Sequence, residues 1–88
     1  MPAFCVSYDL NNPGQHYEPL YQELKKCPGW WHYLDSTWLV FTYETADSLA
    51  NRLLGVIDVN DRLLVIAVGR DNQGWLPIAA WTWIDSHT

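Results

Sequence analysis

The sequence predicts an α+β sandwich: one antiparallel sheet with two helices on one face. Three observations lead there. Short apolar runs with a period of two alternate with two stretches of helical periodicity. Turn clusters rich in Asn, Asp, Pro and Gly separate them. And 88 residues is the length of one domain, 1–88, rather than two.

Residues 2–10 read as the first strand. Phe4, Val6 and Tyr8 point to one face, and Ala3, Cys5, Ser7 and Asp9 to the other. Asn11-Asn12-Pro13-Gly14 is a turn. A helix over 17–27 follows, with Pro19 in its first turn, Leu20, Leu24 and Cys27 as its apolar stripe, and Lys25 and Lys26 where the dipole favours cations. Pro28-Gly29 ends it.

Trp30–Leu34 and Trp38–Tyr43 form a hairpin across the polar turn Asp35-Ser36-Thr37. Thr45 caps a second helix, whose face is Leu49, Leu53, Leu54 and Ile57. After the turn at 58–61, Arg62–Val68 is the fourth strand. Trp75–Ile84 reads as a fifth extended segment, with Pro77 at an edge or bend. The order strand-helix-strand-strand-helix-strand is the split βαβ pattern of a ferredoxin-like sandwich, here with an extra C-terminal strand. Right-handed crossovers place strands one and three in the middle of the sheet.

The face away from the helices should be polar if it meets water, yet Leu63 to Val68 and Trp38 to Phe41 are apolar on both sides. Six Trp, five Tyr and two Phe are more aromatic area than a small core readily hides. A second copy packed sheet to sheet, a homodimer, is the simplest cover, with the 75–84 strand paired to a sheet edge and exchanged with the partner. The alternative is that the tail folds back over its own sheet.

Composition bounds the chemistry. A net charge of −5 disfavours general nucleic-acid binding, though not a contact through a metal or a local basic patch. Cys5 and Cys27 form no disulfide framework or zinc motif and read as reduced thiols of a cytoplasmic protein. No signal peptide or membrane-spanning run is visible, so no membrane partner is expected.

The candidate site is Asp9, an acid at the end of a strand. It is either a turn-forming residue or a metal ligand on a rigid support, and near a two-fold axis two such carboxylates would repel unless a cation or shared proton lay between them. Magnesium or manganese suits such a donor. His32 is a candidate general base, against a structural histidine at an edge. His16 and Asn11, in the first loop, are candidate nucleic-acid contacts. Trp30-Trp31 can stack bases, but no basic residues are interleaved, which favours packing.

"VSYDL" (Val6 to Leu10), in a ferredoxin-like chain of this size, resembles the small CRISPR-adaptation nuclease-like proteins and their virulence-associated protein D relatives. "WWHYLDSTWLV" (Trp30 to Val40) and "YDLNNPGQHY" (Tyr8 to Tyr17) resemble a SinR-like branch of small bacterial proteins. The resemblance spans residues 2–70 in element order. It implies dimers formed through open sheet faces, a divalent metal on Asp9 at the dimer axis, and phosphodiester cleavage of RNA or DNA, or scaffolding of nucleic acid without cleavage. The basic residues that follow the strand-one acid in that family are absent here, where the loop is Asn11 to His16. The second expectation, from charge and aromatic content, is a non-catalytic dimeric module that binds a protein partner.

Overall fold

A computed structural model of the protein describes residues 3–11 and 17–88. The elements run β1 (Ala3–Asp9), α1 (Glu18–Lys25), β2 (Gly29–His32), β3 (Thr37–Phe41), α2 (Ala46–Leu54), β4 (Arg62–Val68) and α3 (Ile78–His87). The four strands form one antiparallel sheet in the order β2-β3-β1-β4. β1 and β3 are central, as the split βαβ reading expects.

The register follows from the period of two. Val6 lies opposite Trp38 on one side and Val65 on the other, while Cys5 lies opposite Leu39 and Ile66. Phe4, Val6, Tyr8, Trp38 and Val40 therefore face α1 and α2, and with Leu20, Leu24, Leu49 and Leu53 they make the core. The face expected from sequence for β1 is the face observed.

The helices begin and end for local reasons. Pro19 occupies the first turn of α1, where its missing N–H costs nothing. At α2 the Thr45 hydroxyl accepts the Ser48 amide at 3.1 Å, satisfying one of the helix's orphan donors. Arg52 clamps α2 to its surroundings. Its Nη1 donates to the Glu23 carbonyl at 2.7 Å, at the C-terminal end of α1, and its Nε and Nη2 grip the Glu44 carboxylate at 3.1 and 2.8 Å. The hydrogen bond from Arg52 is the main reason the Glu44 carboxyl is held below its ordinary value, and desolvation only partly opposes it. Leu54, assigned to the apolar face of α2 from sequence, is instead half exposed.

The C-terminal segment departs from expectation. It is not a fifth strand. After the extended loop 69–77, Pro77 caps a helix over Ile78–His87. Within the chain it folds back over its own sheet, across the face opposite α1 and α2, as the alternative reading of the tail expects. Ala80 and Ile84, four apart, are buried, and one turn on the His87 ring packs 5.3 Å from Phe41. Gly29 makes that approach feasible, since a Cβ there would stand 3.3 Å from His87 Nε2. Arg70 Nε donates to the Thr88 backbone oxygen at 3.1 Å and ties the helix's far end to the loop after β4. A nearly continuous apolar run fits a buried strand and a buried helix equally well, which is why the pattern misled.

Candidate functional site

β1 leaves the sheet at Asp9, and the segment after it is fastened by a carboxylate that sequence reasoning passed over. Asp61 is buried at the start of β4. Its Oδ1 accepts the Asn11 amide at 2.9 Å and the Tyr17 hydroxyl at 3.3 Å, and its Oδ2 accepts the Asp58 amide at 2.8 Å. Desolvation pushes this carboxyl up, but the hydrogen bonds from Asn11, Asp58 and Tyr17, with the Arg62 charge, outweigh it and hold the pKa below the ordinary value. Asn11 adds its own side-chain bond to the Asn60 carbonyl at 2.8 Å. Asn11 is thus a structural link between two loops. The only hint in the sequence was the Asp58-x-x-Asp61 spacing within a turn.

Asp9 stands exposed on the face opposite the α1–α2 core, with Ser7 two positions before it. Its cross-strand partner is Arg62, so a guanidinium-bearing residue neighbours it on the same face. Ser7, Asp9, Arg62 and Leu64 line one shallow depression there. Arg62 itself donates to the Val59 and Asp61 carbonyls at 3.3 and 2.9 Å. The sequence names both residues, but only the register brings them together.

His32 lies elsewhere. It sits on the edge strand β2 opposite Trp38, whose side chain belongs to the helix face. The imidazole stacks on the Trp38 indole at 4.0 Å with planes 12° apart, and its Nε2 is 3.2 Å from the Asp35 carbonyl. Asp9 and His32 therefore point to opposite faces, with β3 between their strands, and one chain does not bring them to a common substrate. His16 lies outside the described residues.

Asp9 has no second acidic ligand close by among the described residues. Among the described residues no group of three or more His, Cys, Asp and Glu side chains is placed to hold a metal. The Ser7 hydroxyl is 3.3 Å from that of Thr37, and the nearest charged neighbour by register, Arg62, is a cation. Within one chain Asp9 is thus a single carboxylate donor, and a hard cation there would have to complete its shell with water or with oxygens from another molecule.

The aromatic residues divide by face. Trp38 is buried, and its indole N–H donates to the Tyr8 hydroxyl at 3.0 Å. Burial pushes the Tyr8 phenol up to about 12, partly offset by that bond. Trp30 packs 5.3 Å from Trp38 and carries Lys25 over its ring at 5.5 Å. Trp31 faces the other way, stacked 5.6 Å from Tyr33. The tandem tryptophans serve two layers rather than one base-stacking platform. Both cysteines are free, Cys27 buried and Cys5 partly so.

No helix among the described residues is long and apolar enough to cross a membrane. Compared with protein-family models, curated proteins and solved structures, the chain matches none of them.

Proposed function

We propose that this protein is a non-catalytic interaction module that works as a two-fold homodimer joined at β4. One observation carries the reading. β4 ends the sheet, and on its face away from the core Leu64 and Ile66 are 55% and 53% exposed. A seven-residue apolar edge strand is an invitation to pair. An antiparallel β4–β4 contact centred on Val65 sets Leu64 of one copy opposite Ile66 of the other, so that the exposed side chains cover each other. α3 already lies over part of the face that a sheet-to-sheet dimer would use, and this favours the edge.

The experiment is amide hydrogen exchange on β4 as a function of protein concentration. The proposal expects protection of β4 amides to rise with concentration while that of β3 stays constant. Concentration-independent exchange along β4 contradicts it.

A second reading, metal-dependent cleavage of nucleic acid at Asp9, is favoured by the cross-strand register of Asp9 with Arg62, which sets an acid and a basic residue on one face. It follows the resemblance of "VSYDL" to the CRISPR-adaptation nuclease-like proteins. Its donor set lacks a second acid, which a second copy would have to bring. The net charge of −5 weighs against tight nucleic-acid binding in either case.

A further inference from the structure

α3 does not lie flat on the sheet. Between them is a cavity of about 240 Å³. Cys5, Leu39 and Val68 reach it from the sheet, Trp31 from β2, and Trp81 and Ile84 from α3. The lining is almost wholly apolar. The gap is half open to solvent, and an apolar cleft of this size between a helix and a sheet has room for a small apolar occupant.

Three polar side chains at its boundary already bond within the chain. The Thr37 hydroxyl is paired with that of Ser7 at 3.3 Å. The Asn72 side-chain amide donates to the Gly69 carbonyl at 2.8 Å, and the Gln73 side-chain oxygen accepts the Gly74 amide at 2.9 Å. Burial pushes the Cys5 thiol up, so it faces the cavity neutral. Water, which needs two or more polar partners, is poorly served here.

Size narrows the occupant. An apolar cavity of ~150 Å³ takes up one benzene ring, so the present volume admits a fused pair of rings. It falls below the roughly 300 Å³ at which sites for drug-sized ligands begin, which leaves no room for a nucleotide. Two indoles in the wall, Trp31 and Trp81, favour a flat π-system over a flexible chain, which would lose rotamer freedom on entry. We infer that the cavity beneath α3 is a binding site for a small fused aromatic molecule of about the size of indole.

Indole itself is the probe, titrated into the ¹⁵N-labelled full chain. The site predicts saturable shifts of the Trp31 and Trp81 side-chain N–H resonances, with those of Trp30 and Trp75 unmoved, and a rise in Tm. Leu39→Phe and, independently, Val68→Phe fill the space. Each should weaken indole binding at least tenfold, and a folded variant should keep the amide pattern of β1 and β3. Absence of a saturable shift overturns the inference. So does binding that survives in both filled variants, which would place indole on the surface. Tighter binding of octanoate than of indole overturns the assigned ligand class. None of these outcomes depends on whether β4 pairs between copies.

Discussion

Asp9 and His32 point to opposite faces of the same sheet, Asp9 beside Arg62 on the open face and His32 stacked on Trp38 on the helix face. A histidine in that position supports the edge of the sheet rather than moving protons at Asp9. His32→Ala should cost about 1 kcal/mol through the lost stack. It should leave any response to divalent metal unchanged, as urea denaturation with and without magnesium would read. A metal response abolished by His32→Ala would overturn this separation.

Asp9 carries the metal question alone. With one carboxylate next to Arg62, magnesium or manganese at millimolar concentration should raise Tm no more in the native chain than in Asp9→Asn. A metal-induced rise that disappears in Asp9→Asn, together with metal-dependent RNA or DNA cleavage that disappears with it, would instead establish the cleavage reading, by mass action of an ion bound to the folded state.

Arg52 makes stability depend on pH with a definite sign. Glu44 has its folded-state pKa lowered chiefly by the Arg52 hydrogen bond, so its contribution is fully present above the ordinary glutamate value and fades as pH falls through the lowered one. Arg52→Met should therefore cost about 2 kcal/mol at pH 7 and progressively less below about pH 4.3, the unperturbed glutamate value. Denaturation of both proteins across that range checks it. A penalty that stays constant to pH 2.5 would show that Arg52 acts through packing and its bond to the Glu23 carbonyl, not through the Glu44 carboxylate.

The helical form of the tail gives a sharp mutational test. Ala80 is fully buried on the sheet-facing side of α3, so Ala80→Asp places a carboxylate against the open face with no partner of opposite charge supplied. It should cost about 3 kcal/mol or release α3, seen as faster exchange over 78–87 while the Leu20 and Leu53 core stays protected. Ala79→Asp, at an exposed neighbouring position, should cost less than about 0.5 kcal/mol. Equal effects at the two positions would contradict the packing of α3.

What could be read in advance was what depends on local periodicity. The faces of β1, the cap at Thr45 and the central place of β1 and β3 all follow from spacing and connection rules. Three things did not. Residues 78–87 carry so many apolar side chains that neither period stands out, and the choice of helix is made by Ala80 and Ile84 meeting the sheet. The neighbourhood of Asp9 and Arg62 is a matter of register, which no single strand displays. Asp61 looks like any turn aspartate until the Asn11 amide, fifty residues away, arrives at its Oδ1.

The association through β4 is tested most directly by sedimentation equilibrium at micromolar concentration, on the native chain and on Leu64→Lys/Ile66→Lys. Both positions are more than half exposed in the single chain, so the substitutions disturb no core and the variant should keep its fold. The account predicts about twice the 10.2 kDa chain mass for the native protein and a single chain mass for the variant. A native protein that sediments as one chain, or a folded double variant that remains a dimer, would contradict it.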